Sequence, residues 1–157
     1  MPGHVEGVAV SRVRVDGRDA ADRIIGIVRS VPQFEGVRGI LLDGVAVGGF
    51  NIIDLAALSR TLGLPVVAVT RRVPDFERIR AALRKYFPKD FRRRWSLLRA
   101  HNLFRVPTAG EPILATAVGC RRAEAIALVR RTTTRGYWPE PLRLAHAVAH
   151  AVGKPID

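Results

Sequence analysis

The stretch Gly39-Ile40-Leu41-Leu42-Asp43-Gly44, followed by Asn51 to Gly63 and then by Pro65-Val66-Val67-Ala68-Val69-Thr70, decides the fold class. Gly39 to Leu42 is a short apolar run closed by the turn pair Asp43-Gly44, the pattern of a strand covered on both faces. Asn51 is placed to cap a helix, with Asp54 completing a variant capping box and Ile52, Ile53, Leu55, Leu58 and Leu62 forming its apolar stripe. Gly63 stands where such a helix ends, because glycine adopts the left-handed conformation without penalty. Pro65 to Thr70 is a second buried strand. A strand, a helix and a strand in that order imply a parallel pair joined by a right-handed crossover. Asp43 then sits at the C-terminal end of the first strand, where parallel sheets assemble their sites.

Outward from this unit the pattern continues in the same class. Gly7 to Val15 alternates Val13 and Val15 against Arg12 and Arg14 and is predicted to be a strand, closed by Asp16-Gly17. Arg18 to Ser30 reads as a helix, with Ala20, Ile24, Ile27 and Val28 at helical spacing. Asp75 caps a helix running to Phe87, with Phe76, Ile79, Leu83 and Tyr86 facing inward until Pro88 breaks it. Phe91 to Arg105 fits no element. Pro112 to Val118 reads as a strand, Arg121 to Thr134 as a helix, and Pro141 to Val152 as a last helix. Together these predict a mixed α/β sheet with helices on its faces.

The chain has 157 residues, 48% of them hydrophobic, enough to build the core of one domain. Its apolar runs are far shorter than the roughly 20 residues of a membrane span. The N-terminus lacks the basic and apolar regions of a secretory leader, so a cytoplasmic location is expected. Cys120 is the single cysteine. No internal disulfide can form, no Cys/His cluster has the spacing of a zinc site, and a small buried hydrophobe is the expected role of Cys120. A formal net charge of +12 favours a polyanionic partner. Residues 71 to 105 hold 12 of the 26 Lys and Arg but only Asp75, Glu77 and Asp90 as acids. That segment is the expected electrostatic footprint. Trp95 lies among Arg92, Arg93, Arg94 and Arg99, and its expected role is to dock the segment on the core.

Two strings then become informative together. Val118-Gly119-Cys120-Arg121-Arg122, a helix, and Thr134-Arg135-Gly136-Tyr137-Trp138-Pro139-Glu140-Pro141-Leu142-Arg143-Leu144-Ala145-His146 resemble the end of endonuclease V. There the pattern is V-G-H-R, a helix, then R-G-Y-x-x-P-E-P-T-R-x-A-[DH]. Leu42-Asp43-Gly44…Gly49-Phe50-Asn51 and Gly63-Leu64-Pro65-Val66…Arg71…Pro74-Asp75-Phe76-Glu77 are similar to strings of the archaeal endonuclease dU family. By these strings the chain is identified as a member of that family, over nearly all its length.

The resemblance implies a ribonuclease-H-like fold. It implies hydrolysis of a phosphodiester in DNA or RNA at a deaminated base such as deoxyuridine, with Mg²⁺ or Mn²⁺ held by carboxylates. Asp43 matches an Asp-Gly of the acidic centre and is the implied metal ligand. Arg71 falls where endonuclease V has a lysine, where a cation would hold phosphate. His146 matches an Asp-or-His position on the last helix. Tyr137 and Trp138 are placed to stack on an extruded base or line its pocket, or else to pack in the core, and Arg121, Arg122 and Arg143 to contact phosphates. Cys120 replaces the family histidine, whose hydrogen bonding a thiol does not reproduce. An opening strand with Asp-Asp-Gly, present in the family, is expected to be missing ahead of Gly7, leaving residues 1–157 as one N-terminally short domain. Asp54 and Asp75 are expected to be caps and Glu35 a surface residue. With so few acids, a non-catalytic nucleic-acid-binding module on the same fold is the alternative, and a basic ribonucleoprotein subunit a weaker one.

Overall fold

A computed structural model describes residues 3–32 and 34–153. The elements are α1 (Ala20–Ser30), β1 (Ile40–Asp43), β2 (Ala46–Val47), β3 (Asn51–Ile52), α2 (Leu55–Leu62), β4 (Val66–Thr70), α3 (Phe76–Tyr86), α4 (Phe91–Arg99), β5 (Phe104–Val106), β6 (Ile113–Val118), α5 (Arg122–Thr132) and α6 (Glu140–Val152). The main sheet has the order β1-β4-β6-β5. β1 and β4 are parallel, with Asp43 beside Val69, while β6 runs antiparallel to both β4 and β5. The expected mixed sheet flanked by helices is what the chain builds.

Strand alternation divides the side chains between two cores. Val67 and Val69 of β4 and Ile113 and Ala115 of β6 face one side, where Ala125, Val129, Trp138 and Leu142 of the α5–α6 region cover them. Ile40 of β1 and Val66 and Ala68 of β4 face the other side, under Ala20 of α1 and Leu55, Leu58 and Leu62 of α2. β4 is buried on both faces, which explains its unbroken apolar run.

Several local expectations are corrected. No strand forms over residues 3–14, and Val8 and Val10 are exposed. Alternation alone cannot hold a strand without a ladder partner. Asn51 does not cap α2; it pairs with Val47 in the short β2–β3 hairpin. Asp54 is the α2 cap, accepting from the Ala57 N–H, and Asp75 caps α3 as expected. Asn51 is fully buried and serves α1 instead. Its Oδ1 accepts from Ala20 N, and its Nδ2 donates to Arg14 O and Asp19 Oδ1. That last bond is the main reason the Asp19 carboxyl titrates below its ordinary value. Tyr86 is 63% exposed, because Leu83 and Phe87 take the inward positions at the end of α3. Phe91 to Arg105 resolves into α4 and β5.

The glycine of the Val118-Gly119 string has a structural reason. Gly119 has φ +77°, and a β-carbon there would stand 2.3 Å from Ser59 Oγ and 3.3 Å from Leu64 O. Ser59 Oγ already donates to Leu64 O at 2.7 Å, so the hydroxyl cannot retreat without losing that bond. Gly119→Ala is expected to lower stability by about 2–4 kcal/mol, combining left-handed strain with overpacking. A urea titration measures it, and a change within 0.5 kcal/mol, the ordinary scatter of surface substitutions (about ±0.5 kcal/mol), would contradict the packing described.

Candidate functional site

The sheet's alternation carries two polar side chains past the end of the α5–α6 core. Asp43 follows Leu41 by two residues and Arg71 follows Val69 by two, and both Leu41 and Val69 belong to that core. The next outward position on each strand is therefore a carboxylate on β1 and a guanidinium just after β4. Asp43, Thr70, Arg71 and Arg72 line an open depression at this end of the sheet. Gly44 N donates to Val69 O at 2.9 Å, which extends the ladder one step and fixes the chain on both sides of Asp43.

Arg71 is held from below. Its guanidinium carbon lies 4.2 Å from the centroid of the Trp138 ring, a cation–π contact of roughly 0.5–2 kcal/mol. Trp138 itself is 8% exposed and packs with Val69, Ala125 and Leu142. Of the two expectations for Trp138, base stacking or core packing, the indole takes the core position, and there it seats Arg71. Tyr137 is 43% exposed and lies against Gly110 in the β5–β6 turn, so its ring remains available at the surface.

The other expected contacts are dispersed. Arg121 precedes α5, where its guanidinium and N–H both bond Glu124; this pairing holds the Glu124 carboxyl below its ordinary value. Arg122 lies over the Phe104 ring at 5.0 Å. Arg143 pairs with Glu140 through two hydrogen bonds, which lower the Glu140 carboxyl. A phosphate would have to displace a carboxylate at Arg121 and Arg143, whereas Arg122 pairs with no carboxylate among the described residues. His146 is exposed on α6, one turn beyond buried Leu142. Cys120 is half-buried against the α5–α6 core; burial, with Glu124 second, pushes its thiol up, so it is a packing residue and not a reactive thiolate. Glu35 is exposed, as expected.

Among the described residues no three His, Cys, Asp or Glu side chains converge as a metal cage. The depression offers one carboxylate beside two guanidinium groups. That set suits an ion that takes one protein carboxylate and completes its shell with water and substrate phosphate, as Mg²⁺ commonly does. It does not suit a preformed all-protein site. Sequence reasoning missed Thr70 and Arg72, although both adjoin Arg71 directly where β4 ends.

The basic segment is only partly a surface. Arg94 is buried, and its guanidinium donates to the carbonyls of Asp16, Gly17 and Phe50, with Nε 2.8 Å from Asp90 Oδ2. Trp95 stacks on Phe91 and meets Phe76 edge-on, joining α4 to α3, while Arg80 and Arg99 lie over its ring. No helix among the described residues is long and apolar enough to cross a membrane.

Comparison with known proteins adds lineage to this geometry. A family model described as endonuclease dU matches residues 2–153. A UPF0215 protein of Methanothermobacter thermautotrophicus is 44% identical over 149 residues, covering 94% of this chain and 72% of the relative. One from Thermococcus gammatolerans is 46% identical over 149 residues, with 94% and 74% covered. Among solved structures, a protein of unknown function from Archaeoglobus fulgidus superposes with a TM-score of 0.82 at 33% identity, covering 90% of this chain and 79% of that one.

Proposed function

Since this chain belongs to the endonuclease dU family, we propose that it acts on DNA or RNA across the C-terminal end of its sheet, hydrolysing a phosphodiester near a deaminated base such as deoxyuridine. The observation that carries this reading is the placement of Asp43 at the end of β1 and of Arg71 just after the adjacent parallel strand β4, both lining one depression, with the guanidinium seated on Trp138. Arg71, with Arg72 beside it, holds a phosphate by charge-assisted hydrogen bonds. Asp43 is the carboxylate for Mg²⁺ or Mn²⁺, which when bound polarises the scissile phosphate and lowers the pKa of an attacking water. Tyr137 offers a stacking surface, Arg122 a phosphate contact, and exposed His146 a further polar group on α6.

One observation favours a second reading. A single carboxylate in the depression is also what a protein would show if it gripped nucleic acid without cutting it. The two readings share one expectation. Affinity for a short single strand falls steeply with salt, by about 0.7 log units per log unit of salt for each phosphate neutralised. Arg71→Ala reduces that slope by about one phosphate equivalent. Fluorescence anisotropy across a salt series checks both. Affinity that is flat with salt would remove the nucleic-acid partner. The readings part on cleavage: strand scission dependent on Mg²⁺ or Mn²⁺ and on Asp43 supports the endonuclease, and saturated binding without scission supports the module.

A further inference from the structure

The α3–α4 hairpin concentrates positive charge. Residues 76–99 hold nine Lys and Arg against Glu77 and Asp90. Asp90 is taken by Arg18 and by buried Arg94, which leaves eight exposed cations and Glu77. Three of these cations form a row along the seam between the two helices. Arg99 lies over Phe76 at 4.5 Å and over Trp95 at 5.9 Å, Arg80 over Trp95 at 5.8 Å, and Arg84 over Phe91 at 5.1 Å. The three rings are half-buried, and Phe91 and Trp95 stack with centroids 6.3 Å apart. Phe76, Arg80 and Arg84 follow one another at intervals of four residues along α3, about 6 Å each. Like charges one helical turn apart repel, yet none of the three arginines forms an ion pair among the described residues. A ring holds a guanidinium by its face and leaves the N–H groups at its edge free for an acceptor. The row is thus held in place, open to an anion, and spaced like successive phosphates of an extended strand. Its Phe76 end adjoins the candidate site. Thr70, Pro74 and Phe76 border one recess, and Thr70 also lines the depression that holds Asp43 and Arg71.

We propose that the seam of the α3–α4 hairpin is a backbone track, on which Arg99, Arg80 and Arg84 each take one phosphate of a nucleic-acid strand as it leaves the depression at Arg71. The inference rests on the nucleic-acid reading above. It adds a second contact surface, the direction the strand takes across the protein, and indifference to base sequence. Guanidinium groups cover the ring faces on which a base would stack, so the track holds phosphates and does not read bases. Each planar fork suits a phosphate bidentately. A strand that reaches both surfaces engages the second intramolecularly, which strengthens its hold without a new contact in the depression.

The test follows the salt dependence of anisotropy for a single strand of about 16 nucleotides, the upper end of common single-strand site sizes. Replacing Arg80, Arg84 and Arg99 together by Gln is expected to lower the slope by about two log units per log unit of salt, about 0.7 for each of three phosphates. The loss should be equal for strands of different base composition. Replacing Arg130, Arg131 and Arg135, also exposed, together by Gln removes the same charge from the far end of α5, and the slope should then stay within about half a log unit of the parent value. The triple variant Arg80→Lys, Arg84→Lys and Arg99→Lys should restore the slope, because the slope counts charges. A purely structural role would move the melting temperature of the Gln variant and leave its slope intact. Should thermal melts show the triple Gln variant to be unfolded, Arg84→Gln alone carries the measurement, with an expected loss of about 0.7. Equal losses in the two triple Gln variants, or none in either, would overturn the track, and a loss in Arg71→Ala beside them would leave the nucleic-acid reading standing. Strands bound through the track and never cut would keep the track and remove the hydrolytic reading. Affinity flat with salt in the parent chain would overturn both. Polyglutamate bound as tightly as the strand, and lost in the same Gln variant, would assign the seam to an acidic protein and overturn the proposal.

Discussion

Asp43→Asn is expected to abolish strand scission, lowering the single-turnover rate by about 100-fold or more, while leaving nucleic-acid affinity within a factor of about three. The reasoning is local. Asp43 is exposed at the end of β1, and its neighbours in the depression are Thr70, Arg71 and Arg72. Asparagine keeps the shape but removes the negative charge that a divalent cation requires. Removing that charge beside two guanidinium groups does not weaken their hold on phosphate. Stability should move by no more than about 0.5 kcal/mol, as for other exposed positions. Paired measurement of scission and anisotropy checks the separation. Parallel loss of binding and scission would make Asp43 an architectural residue, and unchanged scission would place the chemistry elsewhere.

Arg94→Ala should be the most destabilising change in the basic segment, by about 3–5 kcal/mol, because it breaks a buried charge pair and strands its partners. Arg94 is 4% exposed. One side chain binds the carbonyls of Asp16, Gly17 and Phe50, meets Asp90, and lies over the Phe87 ring at 4.3 Å. It thereby joins α4 to the turn before α1 and to the β2–β3 hairpin. Asp90 also receives Arg18 from that turn. Arg94→Lys should recover little, since a point ammonium cannot reproduce a planar fork directed at three carbonyls. Urea denaturation of the full chain measures the effect. A loss below 1 kcal/mol, against an expected cost of about 3–5, would show that the network is dispensable.

Arg94 also shows where sequence reasoning reached and where it stopped. The β1–α2–β4 unit was legible because β4 is buried on both faces, and such strands read as continuous apolar runs. Gly63, Asp54 and Asp75 were legible because cap chemistry is local. α4 was not legible. Its most buried residue is an arginine, so the run Arg92-Arg93-Arg94 obscured the stripe of Phe91, Trp95 and Leu98. The β2–β3 hairpin was missed although Gly48-Gly49, both at positive φ, is a turn signal; two-residue strands are too short for alternation to register. Asn51 was read as a local cap, and it is a cap for α1, 31 residues earlier. Only tertiary structure shows a bond of that range.

The site divides along the same line. Asp43 was placed by its position at a strand end, and Arg71 by the resemblance to endonuclease V, which has a lysine after the next strand. That they flank one depression follows from the register of a parallel pair. The burial of Trp138 beneath Arg71 was not accessible, since an aromatic before Pro139-Glu140-Pro141 serves equally well as a stacking surface or as core. Nor was the lack of a hydrogen-bond partner for the buried Thr116 hydroxyl among the described residues, because satisfaction of a hydrogen bond depends on what the rest of the chain brings near it.

The most direct test of the proposed endonuclease is a single-turnover incubation. The full chain in excess would be mixed with a labelled single strand carrying one deoxyuridine, in Mg²⁺ or Mn²⁺, with a thymidine-containing strand as control and anisotropy run in the same buffer. The expected result is one product, cut close to the deoxyuridine, that requires the divalent ion and disappears in Asp43→Asn. An intact strand at saturated binding would contradict the hydrolytic role and leave a nucleic-acid-binding module on this fold.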